Sequence, residues 1–248
     1  EKFSWAGPFM IIEGGAIVPH NNIMIKDLTI KDMNGNSDYK KGGGVYISNS
    51  QNISFEGVKF KNCKTYQSAG TNRNGGAIYV DANSNLSIKA CVFEACEAVD
   101  DGGAIYNEGT LSIENSLFFD NEAGDNGDIF IGSSAVTILN CTFSRNKSDK
   151  CVYYSGNSAN IINTIFYKNQ GNYDVYTTNQ NGVNMSHCIF ETIDNNVFHS
   201  NSYTGPQLAS FQFASAINND FRLKFASVGV DDGTDSYNAP VKDLNGDN

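Results

Sequence analysis

Apolar residues in this chain recur in short alternating runs. In Leu111-Ser112-Ile113 and again in Ser116-Leu117-Phe118, the inward positions lie two apart, the period of a β-strand. Glu114-Asn115 breaks the phase between the two runs and marks a corner. The i, i+3, i+4 spacing of an amphipathic helix does not develop in these units. The runs also repeat. The stretch from Ile53 to Phe60 matches that from Leu86 to Phe93, with further copies from Leu111 to Phe118 and from Val136 to Phe143. Weaker copies close at Phe166 and Phe190, and an earlier one holds Ile23, Ile25, Leu28 and Ile30. Gly75-Gly76-Ala77-Ile78-Tyr79 returns unchanged as Gly102-Gly103-Ala104-Ile105-Tyr106. The closing aromatics stand 33, 25, 25, 23 and 24 residues apart. A period of roughly 25 is that of a solenoid.

Three short strands per unit, separated by Gly/Asn/Ser turns, predict one turn of a parallel β-helix. A propeller blade needs about 40–45 residues, and leucine-rich or ankyrin repeats need helical segments. About eight coils at ~4.8 Å each would build a rod on the order of 40 Å long. Parallel coils stack like on like. Phe60, Phe93, Phe118, Phe143, Phe166 and Phe190 are expected to form an interior aromatic ladder, and Asn121, Asn146 and Asn169 a column of amides at a turn. The glycine pairs are expected to supply positive φ or close backbone approach at another corner. The whole of 1–248 reads as one domain, with 1–13 an N-terminal cap, 14–193 the coils, and 194–248 a terminal coil, cap and tail. Trp5, Pro8 and Phe9 are the expected N-terminal cap residues, and the stretch from Phe198 to Phe225 the expected cap at the other end.

Composition narrows the class. The chain has 248 residues, 24 glycines, 4 prolines and a formal net charge of −10. This acidity, without a basic patch, weighs against a nucleic-acid partner. No apolar run approaches the roughly 20 residues of a membrane-spanning helix. The expectation is an exported protein, secreted or at the cell surface, monomeric, and trimmed of its signal before Glu1. Of six cysteines, Cys91, Cys141 and Cys188 share one coil position and Cys63 and Cys96 another. Cys63 and Cys96 fall within disulfide reach on adjacent coils, but buried free thiols are the favoured reading.

Gly-Gly-Ala-Ile paired with Phe-x-x-Asn resembles the repeats of the chlamydial polymorphic outer membrane proteins. More broadly, about residues 14–193 look like the right-handed parallel β-helix, pectin-lyase-like superfamily. The stretch from Asp220 to Lys224, that from Ala226 to Gly233, and that from Asp243 to Asn248 are similar to the closing segment of many bacterial surface β-helix proteins, although Val228 stands where proline is usual. The resemblance implies the fold strongly. For function it admits lyases, hydrolases, adhesins and inert stalks.

Asp100, Asp101, Asp125, Asp128, Asp149 and Asp174 crowd the corner before the glycine strands and read as a solvated acidic turn. Asp101 and Asp125, position-matched on adjacent coils, are the candidate calcium ligands. Asp243-Leu244-Asn245-Gly246-Asp247 is a weaker candidate, resembling half of a calcium loop. Otherwise no cofactor is expected. The best lyase-like constellation is Lys150 beside Asp149, with Arg145 a few residues earlier and Arg73 at the equivalent corner of an earlier coil. It is loose, and His20, His187 and His199 have no partner at a useful spacing, so no catalytic residue is assigned. Alternation puts Tyr79, Tyr106, Tyr153 and Tyr176 outward with Tyr46 and Phe130, a candidate carbohydrate-binding strip; the inverse phase would bury them. The function expected is non-catalytic adhesion or structural display, with a host or cell-surface glycan or protein as partner. The alternatives are a polysaccharide-binding module, and a polysaccharide lyase or glycoside hydrolase.

Overall fold

The computed structural model describes residues 8–14, 20–35, 41–65, 72–132, 135–156, 158–180, 182–204, 213–215 and 220–223. It is an all-β, right-handed parallel β-helix, with no α-helix among the described residues. Three parallel sheets run its length. The glycine-corner sheet stacks Met10–Glu13, Val45–Ser48, Ile78–Val80, Ile105–Asn107, Ile129–Ile131, Lys150–Tyr154 and Tyr173–Thr177. The long sheet stacks Met24–Lys26, Ile53–Glu56, Asn85–Lys89, Thr110–Glu114, Val136–Leu139, Ala159–Ile162, Val183–Ser186 and Val197–Ser200. The phenylalanine sheet stacks Thr29–Lys31, Lys59–Lys61, Val92–Glu94, Leu117–Phe119, Thr142–Ser144 and Ile165–Tyr167. Every register predicted by the repeat is present: Phe60, Phe93, Phe118 and Phe143 pair in turn, as do Ile78, Ile105 and Ile129.

Side-chain alternation along each strand sends Ile, Val, Leu and Phe into one continuous core. Its spine is a stack of five rings, Phe60 to Phe166, with centroids 4.6–4.9 Å apart and planes within 9°. The coil rise therefore sets the ring spacing. Phe190 keeps the sixth place in backbone register through the Ile165–Ile189 bridge and is buried, but its ring meets His199 edge-on at 5.2 Å. The asparagine column forms as predicted. Asn121 Nδ2 donates to Phe93 O and to Asn146 Oδ1, and Asn146 Nδ2 donates to Phe118 O and Asn169 Oδ1. Each Oδ1 also accepts a backbone N–H from the coil before it.

The corners are turned by single left-handed residues. Between the long and phenylalanine sheets, one residue per coil has φ near +50 to +65°: Asp27, Gly57, Ala90, Asn115, Asn140, Asn163, His187 and Asn201. In the glycine pairs the two members do different jobs. Gly75 and Gly102 adopt φ of 74° and 70°. Gly76 and Gly103 admit the backbone of the next coil, where a Cβ would lie within 2.4 Å of a carbonyl oxygen.

The N-terminal boundary needs correction. Met10–Glu13 is no cap but the first strand of the glycine-corner sheet, paired in parallel with Val45–Ser48. Trp5, half of the 198–225 stretch and the 224–248 tail lie outside the described residues. Phe213–Ser215 and Asp220–Leu223 form an antiparallel pair.

Candidate functional site

On the outside of the glycine-corner sheet, Tyr46, Tyr79, Tyr106, Phe130, Tyr153 and Tyr176 form a second ladder, with centroids 4.6–5.6 Å apart and planes within 20°. The predicted phase holds, because the neighbours Ile78, Val80 and Ile105 face the core while these rings do not. Exposure, left open by the sequence, is only partial: Tyr79 and Tyr106 are 3% and 8% exposed, and Tyr46, Phe130, Tyr153 and Tyr176 are half-buried. Each ring covers the face of the next, so the stack offers solvent its edges and hydroxyls. Sugar stacking requires free faces, and Tyr79, Tyr106 and Tyr153 have both faces covered. Tyr176 also meets Tyr173 of its own strand, tilted by 55°, at 5.4 Å. Polar groups close the rim. Lys41 Nζ donates to the Tyr79 hydroxyl at 2.9 Å, and the Tyr79 and Tyr106 hydroxyls both donate to the Glu108 carboxylate. Burial first, then the Glu108 charge and hydrogen bonds, push both phenols well above their ordinary range.

The acidic corner divides in two. Asp125 is exposed, and the half-buried Asp101 turns its Oδ1 to the backbone and side-chain N–H of Asn126, both at 3.0 Å. Burial raises the Asp101 carboxyl, and the Asp125 and Asp100 charges raise it further. Asp101 and Asp125 are thus neighbours, but one oxygen of the pair is already engaged. No group of three or more His, Cys, Asp or Glu suited to a metal ion occurs among the described residues. Asp128 and Asp174 are not in a solvated turn. They are 0% and 4% exposed, in the inward slot that Ala77 and Ala104 fill on earlier coils. Ser148 Oγ donates to Asp128 Oδ1 at 2.6 Å, while Oδ2 has no partner. Cys151 occupies the same slot between them. Burial drives Asp128 upward, and burial with the two flanking carboxyls drives the Cys151 thiol up. Sequence alone held the signal, an aspartate where the repeat has alanine.

The lyase-like constellation does not assemble. Arg145 forks onto Asp120, with Nε at 2.9 Å and an Nη at 2.8 Å. Arg73 pairs with Asp100 at 2.7 Å and Lys150 with Asp149 at 2.6 Å. Each pair ties two coils or one corner. His187 and His199, scattered in sequence, do meet around a shallow cavity of about 480 Å³ near the last coil. The half-buried His187 has an unpartnered Nδ1, and nothing completes an acid–base pair there.

The cysteines follow a rule invisible to simple counting. Cys91, Cys141 and Cys188 alternate up one column with Ser116, Thr164 and Ser202, whose hydroxyl oxygens accept the cysteine N–H groups at 3.1–3.4 Å. Burial pushes these thiols up to about 11–12. Cys63 and Cys96 sit on adjacent coils; all six cysteines are buried and free.

The outer face of the long sheet was not singled out by sequence. Its central column pairs Met24, Ser54, Ser87, Ser112, Thr137, Asn160, Asn184 and Phe198 in strict succession. Beside it, Lys26, Glu56, Lys89 and Glu114 alternate in sign, with Lys26 and Glu56 paired at 2.7 Å. Met24 and Phe198, 61% and 58% exposed, stand at its two ends.

This geometry has a counterpart among known proteins at the level of the fold. The family described as right handed beta helix region matches residues 3–128, and the chain belongs to that family. No curated protein and no solved structure matches the chain.

Proposed function

We propose that this protein is a non-catalytic rod, secreted or held at the cell surface, that serves adhesion or structural display. The observation that carries this reading is the fate of its charged side chains. Arg73, Arg145 and Lys150, the residues best suited to polysaccharide cleavage, are each committed to a carboxylate partner within 2.9 Å. A lyase base must instead stand free and partly deprotonated beside the substrate. Eight stacked strands at ~4.8 Å give a stiff body about 34 Å long between its end strands, a shape that projects whatever it carries. The reading is tested by incubation with a panel of uronic-acid polymers, with and without calcium. Neither ultraviolet-absorbing unsaturated product nor new reducing ends are expected; either would overturn it. Protease shaving of intact producing cells is expected to release fragments of the 72–204 region, whereas full protection would remove the surface assignment.

A further inference from the structure

We infer that Cys63 and Cys96, with Met33 beside them, form a buried sulfur site for a soft monovalent metal ion, copper(I) or silver(I). The asparagine column does not run the length of the rod. The parallel pairings Asn34–Lys64, Lys64–Glu97 and Glu97–Glu122 put Met33, Cys63 and Cys96 in register with Asn121. Sulfur therefore fills, on three successive coils, the slot that Asn121, Asn146 and Asn169 fill on the next three. An asparagine bonds the coils on either side, but a thiol is a weak donor. Cys63 Sγ lies 3.5 Å from Ile30 O and 3.7 Å from Lys61 O, and Cys96 Sγ lies 3.6 Å from Glu94 O. Such contacts orient the thiols and are easily given up. Both cysteines are fully buried, and Cys63 is close enough to join burial in pushing the Cys96 thiol up.

Spacing selects the occupant. In-register neighbours on parallel strands keep their Cβ atoms at about the strand spacing, ~4.8 Å. A disulfide uses a Cβ separation of roughly 3.5–4.5 Å. Two metal–thiolate bonds of ~2.3 Å placed in line span roughly 4.6 Å. The coil rise thus overshoots a disulfide and matches one bridging ion. Thiolate and thioether sulfur favour copper(I) over hard ions. Zinc takes four ligands in a tetrahedron, which three sulfurs in a single column do not supply. The carboxylates of Glu94 and Glu97 are held by Lys59, Lys61 and Lys64. Met33 follows the end strand of the phenylalanine sheet and is half-buried against the core. Its flexible thioether offers a third, weaker ligand on the solvent side of the pair. On binding, two S–H bonds break, their protons leave to solvent and two metal–sulfur bonds form, with the ion's oxidation state unchanged.

The test titrates the reduced full chain with copper(I) and with silver(I) in the absence of oxygen, with bathocuproine disulfonate competing for the copper. One tightly held ion per chain and release of two protons are expected, and X-ray absorption at the copper edge is expected to show sulfur neighbours alone. Cys63→Ala and Cys96→Ala are each expected to weaken binding roughly 100-fold or more, and Met33→Leu roughly 3-fold or more. Cys91→Ala, in the other cysteine column, is expected to leave it unchanged. Melting temperatures check that each variant folds; the absorption spectrum and proton count read the unaltered chain and decide the matter if one does not. Absence of a tightly held ion, nitrogen or oxygen neighbours, indifference to the Cys63, Cys96 or Met33 substitution, or an equal loss with Cys91→Ala would each overturn the site. So would a Cys63–Cys96 disulfide formed under glutathione disulfide, because it would bring the two Cβ atoms too close for the ion.

Discussion

Asp128 fills a slot that alanine fills on the two preceding coils, and it is fully buried with one oxygen unpartnered. Its carboxyl faces Ser148 and Cys151 and feels the negative charge of Glu122, so the neutral acid is favoured over the carboxylate. A carboxyl raised in the folded state contributes stability that is complete below its unfolded pKa and is lost as pH rises through the folded value. Asp128→Asn keeps an acceptor for Ser148 and cannot ionise. It is expected to raise the melting temperature at pH 8, by about 2–4 °C for each kcal/mol recovered. At pH 4 it should change little. Equal effects at both pH values, read by calorimetry, would show that ionisation is not the cost.

At the scale of the element, the two interior columns carry different loads. Phe118 lies between Phe93 and Phe143 in the core stack, and Phe118→Ala is expected to cost about 3–5 kcal/mol. Asn146 accepts the backbone N–H of Asn121 and donates to Phe118 O. Asn146→Ala would strand those buried groups at about 1–3 kcal/mol each. Urea denaturation of both variants measures these values, and a loss under 1 kcal/mol for Asn146→Ala would mean that water replaces the amide. Both columns were legible in the sequence because in-register stacking turns a linear period into a spatial neighbour. The corner at Asn115 was legible too, since the break in alternation marked it. What escaped was anything set by depth rather than period. Alternation placed Tyr79 and Tyr106 outward, yet could not say that 4.6–5.3 Å stacking would hide their faces. Asp128 and Asp174 looked like surface acids because acids seldom go inside. The polar outer column of the long sheet went unread because Ser, Thr and Asn give no hydrophobic signal.

For the whole molecule, two sets of carboxyls pull stability in opposite directions with pH. Asp101, Asp128 and Asp174 are raised, chiefly by burial, so their contribution fades as pH climbs. Glu94 and Asp100 experience opposing effects: burial pushes up, but Lys59 and Lys61 on the one and Arg73 on the other leave them lowered. Their contribution is present above the unfolded pKa and fails as pH falls through the folded one. Both sets are satisfied together near pH 4–4.5, about the unfolded carboxylate values. The urea midpoint is expected to peak there and decline by pH 8 and by pH 2.5; a peak at neutrality would contradict the assignment. The spacing of the coils points beyond stability. From Phe60, Phe93, Phe118 and Phe143 to the next glycine-corner strand or its leading glycine the chain takes 15, 9, 9 and 7 residues, whereas the return to the next phenylalanine always takes 16–18. One vertex of the cross-section is thus a tolerant junction, where foreign sequence can be spliced while the rest of the perimeter keeps its length. About a dozen residues grafted between Gly124 and Asp125 would lengthen a loop at an entropic cost of roughly 0.6 kcal/mol per doubling. Evolution, or an engineer, can diversify that vertex coil by coil without redesigning the scaffold.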